Sequence, residues 1–186
     1  MPADALAGRA TEPVALPGGP IMVPMSLLAE AQDEAELAFQ LAHAMAHIAL
    51  RHATKLATRQ ELMAIATVPL QIQRTAGSRG TDILLANQDV AFEAGRLAFT
   101  RGFELQADTI ATRMVASAGY DPESMVRYLE GTLGDVARST KIFSPHPATD
   151  RRMKTVEVEE AKLPASIYTA STGEFDEIKA LAAAVR

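Results

Sequence analysis

The first 24 residues carry two short apolar runs separated by a turn signal. The runs are Val14-Ala15-Leu16 and Ile21-Met22-Val23, and the segment between them is Pro17-Gly18-Gly19-Pro20. Clusters of Pro and Gly mark turns, and prolines beside an extended segment favour the edge of a sheet. The pattern therefore predicts two short strand pieces at a sheet edge, within a Pro/Gly-rich region that spans residues 1–24.

Apolar residues at helical spacing dominate the rest of the chain. Asp33 with Glu36 three positions later forms a capping-box signature, so a helix is predicted from residue 33 to about residue 56. Between residues 37 and 50 this helix is apolar almost all the way round, which is typical of a helix buried on most sides. Further helices are predicted over residues 59–73, 103–117, 121 to about 134, 149 onwards and 174–185. The glycines between residues 75 and 82 predict a mobile loop, and Gly119 is a candidate left-handed helix cap.

Composition places the chain among ordinary globular proteins. It has 186 residues, of which 48% are apolar and 22% are charged, and this length suits one domain with a full core. The net charge of −5 and the lack of a basic stripe argue against nucleic acid as a partner. The chain has no cysteine, which excludes disulfides and thiolate metal ligands.

The sequence shows neither a leader nor a membrane segment. No run of about 18 apolar residues occurs, and residues 1–11 lack the apolar core of a signal peptide. We therefore expect a soluble chain with no membrane segment. Because a leader is removed from an exported protein, an exported or periplasmic parent stays open. The sequence does not indicate the oligomeric state.

His43 and His47 are the first candidates for chemistry. They lie four positions apart, so on a helix their side chains project from the same face and can take two corners of a zinc tetrahedron. Such a pair also arises by chance, and a buried histidine is often satisfied by a backbone carbonyl. Burying two unpartnered imidazoles among apolar residues costs about 1–3 kcal/mol for each group, and a metal would remove that cost.

Two acidic residues on the predicted helix over 103–117 are candidates to complete a site. Glu104 opens this apolar helix, where it either caps the helix N-terminus or points inward toward a cation. Asp108, one turn later on the same face, is placed to accept the second ring N–H of a ligand histidine. The alternative is two solvated acids on a surface helix.

A set of motifs in a fixed order resembles one metallopeptidase group. The segments are residues 15–19, 33–37, 41–52, the Glu-x-x-Ala-Asp stretch 104–108, 119–122, and Ser144-Pro145-His146-Pro147 with Arg152. Over about residues 12–160 they resemble the CaaX-prenyl-protease-like, or heat-shock membrane protease-like, group of HExxH gluzincin zinc metallopeptidases. This resemblance implies an α+β, mainly α-helical, zincin-like fold with an active-site helix and a small edge sheet. Residues 25–160 would form its core and residues 161–186 a C-terminal extension and helix of the same domain.

The resemblance also assigns roles to individual residues. It makes His43, His47 and Glu104 the ligands of one Zn²⁺ per chain, with Asp108 behind them. It places His146 and Arg152 near the catalytic zinc, and His146 would steady the oxyanion or act as a fourth ligand. The alternative for His146 is a histidine in a surface turn. His52, five positions after His47, is expected to be structural.

One position departs from the group's His-Glu-x-x-His pattern, because Ala44 stands where the catalytic glutamate is expected. In the mechanism that the resemblance implies, this glutamate takes a proton from the zinc-bound water, which a methyl group cannot do. We therefore predict zinc binding with almost no peptide hydrolysis. Ala44 is either an engineered substitution or the mark of a natural pseudoprotease. The intact ligand set favours engineering.

Three functions are compatible with these patterns. The first is a zinc metalloendopeptidase scaffold that acts on an extended peptide or unfolded protein aligned along an edge strand at Ile21, Met22 and Val23. The second is a non-catalytic, zinc-dependent peptide-binding or chaperone-like pseudoprotease. The third is a helical interaction domain whose histidines are satisfied core residues, and a lack of metal binding would favour it.

Overall fold

The computed structural model describes residues 12–16, 18–75, 79–136 and 149–184. Within these ranges the elements are β1 Val14–Ala15, β2 Ile21–Met22, α1 Met25–Glu30, α2 Glu34–Ala49, α3 His52–Thr75, α4 Arg79–Ser117, α5 Ser124–Val136, α6 Thr149–Glu160 and α7 Phe175–Ala184. The prediction of an α+β, mainly helical fold is confirmed. Across this part of the chain, no helix is both long and apolar enough to cross a membrane.

The two strands form an antiparallel hairpin, as their apolar runs predict. Val14 pairs with Met22 and Ala15 pairs with Ile21. The backbone N–H of Leu16 donates to the carbonyl of Pro20 at 2.9 Å and closes the turn. Gly18 and Gly19 have φ of 97° and 110°, a backbone conformation that residues with a Cβ rarely adopt, so this turn requires glycine. β1 lies against α2 and brings the hairpin to one side of that helix.

Helix α2 begins where its capping signature predicts. The side chain of Asp33 accepts a hydrogen bond from the backbone N–H of Glu36 at 2.8 Å. The carboxylate of Glu36 accepts in turn from the backbone N–H of Gln32 at 3.1 Å. These bonds satisfy N–H groups that have no partner inside the helix, so the helix starts at a defined residue.

The end of α2 differs from the prediction of one helix that continues to about residue 56. The helix ends at Ala49, Leu50 is its C-cap, and α3 begins at His52. Arg51, between them, has φ of 56°, which is uncommon for a residue with a Cβ. This single left-handed residue changes the direction of the chain. The hydrophobic pattern of the sequence does not predict it.

Helices α3 and α4 are longer than predicted. Helix α3 continues through Pro69 to Thr75, and α4 runs for 39 residues. The predicted loop is therefore wrong at residue 75 and over residues 79–82, which are helical, while residues 76–78 lie outside the described ranges. A glycine inside a helix costs about 1 kcal/mol, and α4 offsets this cost because it packs along both α2 and α3. The short helix α1 was not predicted either.

The core lies where α2, α4, α5 and α6 meet. Its buried members are Phe39, Ala42, Ala111, Val115, Met125, Val126, Leu129 and Val156. Alanines on α2 and α4 let these two helices approach closely, which fixes the position of any side chain that projects between them. The predicted cap is also present: Gly119 has φ of 87° and Tyr120 N–H donates to the carbonyl of Val115.

Candidate metal centre

Three side chains from two helices converge beside the core. His43 and His47 lie one turn apart on α2, and Glu104 reaches them from α4. The two Nε2 atoms of the histidines are 3.0 Å apart. Glu104 Oε2 lies 3.5 Å from Nε2 of His43, and Oε1 lies 3.4 Å from Nε2 of His47. The helix spacing and the Glu104 position thus bring together the three residues that the sequence singled out.

The size and chemistry of this triangle fit zinc. Zinc–nitrogen and zinc–oxygen bonds of about 2.0–2.2 Å at tetrahedral angles separate neighbouring ligand atoms by about 3.3–3.6 Å. The three measured separations lie within a few tenths of an ångström of this range. Two imidazoles and one carboxylate are ligands that zinc accepts, and catalytic zinc sites commonly use three protein ligands.

The two histidines have opposite electrostatic environments. Burial disfavours the charged form of His43, but the carboxylates of Asp108 and Glu104 outweigh burial and raise its pKa to about 9. Burial and the nearby charge of His43 lower the pKa of His47 to about 4. In the metal-free protein at neutral pH, the pair therefore holds one extra proton on His43. A metal that takes both nitrogens must displace this proton.

Behind His43 lies a fully buried ion pair. Asp108 Oδ1 is 2.9 Å from Nδ1 of His43, although the ring N–H does not align with it as in a regular hydrogen bond. Arg152, on α6, donates from Nε to Oδ2 of Asp108 at 2.8 Å and from Nη2 to Oδ1 at 2.7 Å. Burial raises the pKa of Asp108, but Arg152 and His43 outweigh it and keep the carboxyl ionised. Arg152 is only 5% exposed, so the structure places it behind Asp108.

The sequence matches Peptidase family M48 over residues 13–160. The chain belongs to this family. The resemblance drawn from the ordered motifs is thereby confirmed, and the family connects the triangle of His43, His47 and Glu104 to metallopeptidases.

Curated relatives of this M48 chain carry protease names. It is 28% identical to the beta-barrel assembly-enhancing protease of Yersinia pestis, over 73% of this chain and 29% of that protein. It is 32% identical to the mitochondrial metalloendopeptidase OMA1 of Arabidopsis thaliana, over 75% of this chain and 27% of that protein. It is 27% identical to the mitochondrial metalloendopeptidase OMA1 of Schizosaccharomyces pombe, over 76% of this chain and 41% of that protein. The M48 chain thus spans between 27% and 41% of the length of these three relatives.

A cleft of about 580 Å³ opens beside the ligands of the M48 chain. His47 and Glu104 line it on one side and the β1 residues Val14 and Ala15 on another. The hairpin lines the cleft with β1, its flanking residues Pro13 and Leu16, and Gly18 of the turn, whereas residues 21–23, expected to align a peptide, do not line it. Met22 and Val23 are exposed to solvent. The hairpin therefore meets the cleft through its first strand.

Two positions on α2 bear on the expected catalytic glutamate. Ala44, which the sequence resemblance places where that glutamate is expected, is buried with 3% exposure. Gln40, one turn earlier, is also buried, and within the described residues its Nε2 has no hydrogen-bond partner. His146, which the sequence resemblance places near a catalytic zinc, lies outside the described residues.

Sequence reasoning missed His52, which adjoins His47. Nδ1 of His52 is 3.1 Å from Nδ1 of His47, and its Nε2 is 3.3 Å from Oε1 of Gln106. A residue five positions on in a continuous helix would face elsewhere, so its spacing gave no signal. The one clue in the sequence is that Gln106 and His52 both lie within motif segments of the M48 pattern.

Proposed function

We propose that this M48 chain is a zinc metalloendopeptidase scaffold that binds one Zn²⁺ through His43, His47 and Glu104. The observation that carries the proposal is the triangle of ligand atoms, with separations of 3.0–3.5 Å on two packed helices. When bound, zinc would polarise a scissile carbonyl and lower the pKa of a water molecule that it binds.

The residues around the triangle have positioning roles in this proposal. Asp108 holds the ring of His43, and Arg152 holds Asp108 through two hydrogen bonds. We therefore assign Arg152 a positioning role rather than direct contact with substrate. The same set of outer contacts orients ligand histidines in metal sites generally.

The cleft beside the triangle suits an extended polypeptide. β1 lies at its border, and a strand can bind a peptide by adding it to a sheet through main-chain hydrogen bonds. We accordingly propose an extended peptide or unfolded protein as substrate, aligned by β1 rather than by residues 21–23. The protease names of the relatives support a polypeptide substrate.

The chain as written should barely hydrolyse peptides, because Ala44 cannot accept a proton. A positioned general base contributes about 10²–10⁴-fold to rate. Nε2 of Gln40 has no hydrogen-bond partner within the described residues, and a glutamate at position 44, one turn later on the helix, would supply an acceptor on a neighbouring position. Asp108 and Arg152 are both present, and this favours the view that Ala44 replaces a glutamate that was catalytically active.

The test is Ala44→Glu, with Ala44→Gln as a control of equal size that cannot act as a base. We expect Ala44→Glu to cleave a fluorescent unfolded protein at least 100-fold faster than the starting chain, by about the general-base contribution. Chelator should abolish the cleavage, and zinc should restore it. Zinc per chain is measured for all three proteins. If all three bind zinc and none cleaves, the peptidase proposal is wrong.

Ala44 itself favours a second candidate, a zinc-dependent peptide-binding or chaperone-like pseudoprotease. In that case the starting chain binds an unfolded polypeptide in a chelator-sensitive way, and Ala44→Glu gains no turnover. Fluorescence anisotropy of a labelled unfolded polypeptide, with and without chelator, measures this binding directly. Binding combined with turnover by Ala44→Glu would instead support the peptidase.

A further inference from the structure

The break between α2 and α3 brings a third imidazole to the metal centre. On a continuous helix, a residue five positions on lies about 140° round the axis and faces away. Here α2 ends at Ala49, and Arg51 adopts φ of 56° while its N–H donates to the carbonyl of Ile48 at 2.9 Å. The chain therefore turns back, and the ring centroid of His52 lies 4.9 Å from that of His47.

His52 is held tightly in this position. It is 3% exposed, and its ring stacks on Phe103 with centroids 4.3 Å apart and planes 12° apart. Its Nδ1 faces Nδ1 of His47 at 3.1 Å, and its Nε2 faces Oε1 of Gln106 at 3.3 Å. Gln106 lies on α4, two positions after Glu104. The contacts therefore run as a relay from the exposed Gln106 through the buried His52 to the partly buried His47.

The donors and acceptors of this relay have one consistent direction. A carbonyl oxygen only accepts, so Nε2 of His52 must carry the proton that faces Gln106. In a neutral imidazole the other nitrogen is then bare, so Nδ1 of His52 must accept. The facing Nδ1 of His47 must therefore be the donor. This leaves Nε2 of His47 without a proton, so its lone pair lies at the corner of the triangle with His43 and Glu104.

We propose that His52 and Gln106 are positioning residues that set the tautomer of His47 and present its Nε2 to the metal. The inference rests on the proposed zinc site, and it adds the counterpart of the Asp108–Arg152 pair behind His43. The two ligands thus have different supports, a buried carboxylate for His43 and a neutral relay for His47. A neutral relay leaves more positive charge on a bound cation than a second carboxylate would.

The test compares His52→Phe with His52→Asn in the full chain. Phe keeps a ring against Phe103 and removes both nitrogens, whereas the amide oxygen of Asn can accept from Nδ1 of His47. We expect His52→Phe to weaken zinc binding about 10–100-fold in competition with a chromophoric chelator, as loss of an outer partner does. His52→Asn should recover most of that loss. Gln106→Leu removes the acceptor that faces Nε2 of His52, so it should weaken zinc binding in the same direction as His52→Phe.

A second measurement separates this relay from a purely structural role. Long-range ¹⁵N–¹H NMR of His47 reports which ring nitrogen carries the proton, and we expect Nδ1 in the starting chain and a loss of that preference in His52→Phe. Equal zinc affinity of the starting chain and His52→Phe would overturn the relay and leave the zinc proposal standing. If the starting chain binds no zinc, the zinc proposal fails. In that case a proton on Nε2 of His47 in the metal-free chain overturns the relay too.

Discussion

At the scale of single residues, the buried Asp108–Arg152 pair is the strongest support of the candidate site. Asp108 has no exposed surface, and Arg152 donates two hydrogen bonds to it. Two parallel bonds from one guanidinium to one carboxylate fix both distance and orientation. Because Asp108 also contacts His43, the position of the imidazole depends on a residue of α6.

Arg152→Met should therefore destabilise the fold strongly. Removal of one partner leaves the other charge buried, which costs about 3–5 kcal/mol in the free energy of unfolding. Urea unfolding followed by circular dichroism measures this loss. Arg151→Met is the matched control, since Arg151 is exposed one position earlier on α6 and its replacement should change stability by less than about 0.5 kcal/mol. Similar losses in both variants would contradict the buried-pair argument.

A residue's role could be predicted when the sequence pattern that indicates it lies within one or two helical turns. The helical spacing of His43 and His47, and of Glu104 and Asp108, suggested two shared faces without any structure. The distance between those faces required the packing of α2 on α4. His52 was not predicted as a partner of His47, because its direction depends on the conformation of Arg51.

At the scale of elements, Glu34 ties the N-terminal end of α2 to the segment before α7. Its carboxylate accepts from the hydroxyl of Tyr120 at 2.7 Å, and from the N–H and hydroxyl of Thr172 at 2.7 and 2.6 Å. Nearby, the N–H of Ala35 donates to the carbonyl of Ala170 at 2.8 Å. The helix that carries both histidines is thus anchored by the C-terminal part of the chain.

This anchor should make stability depend on pH. The hydrogen bonds from Thr172 and Tyr120 lower the pKa of Glu34 below 4.5, its ordinary value. A lowered folded-state pKa stabilises the fold above the unfolded-state pKa, and this contribution is lost as the pH falls through the folded-state pKa. Glu34→Gln should therefore be less stable than the starting chain at about pH 7, with a smaller difference at about pH 3.5.

Urea unfolding at both pH values measures the effect, and Glu61→Gln, exposed on α3, is the control. A stability difference for Glu34→Gln that is the same at both pH values would show that the carboxylate charge is not responsible.

Helix boundaries that carry a local sequence signal were easier to predict than boundaries set by packing. The start of α2 depends on Asp33 and Glu36, which act within one turn, and the start of α6 at Thr149 also matched. The end of α2 and the start of α4 depend on a left-handed residue and on long-range packing, which no local pattern contains. The predicted strands matched because their turn requires glycine at two positions.

At the scale of the whole molecule, the candidate site joins α2 and α4, which pack against each other more extensively than any other pair of described elements. The fold class was accessible from the sequence, and so were the three residues that cluster at the candidate site, because the ordered motifs belong to one family. The cleft was not, since it forms between β1, the start of α3 and α4, three segments distant in the chain.

Zinc should raise the melting temperature of the whole fold. A ligand that binds only the folded state stabilises it by about 2.7 kcal/mol at 100 times its Kd. For a chain of this size that corresponds to a shift of about 5–10 °C. Differential scanning calorimetry with and without zinc measures the shift, and chelator should reverse it. His43→Ala, which removes one ligand, should show almost no shift, and an equal shift in that variant would place the zinc elsewhere.

The contact of Asp108 with both His43 and Arg152 has a consequence beyond the cleft. Two events that share one side chain are coupled, and their coupling free energy is reciprocal. If metal occupancy strengthens the attachment of α6, then release of α6 weakens metal binding by the same factor. Amide hydrogen exchange along α6 should accordingly slow when the site is loaded. A protein that binds the outer face of α6 would then change the affinity of the site for its metal without entering the cleft.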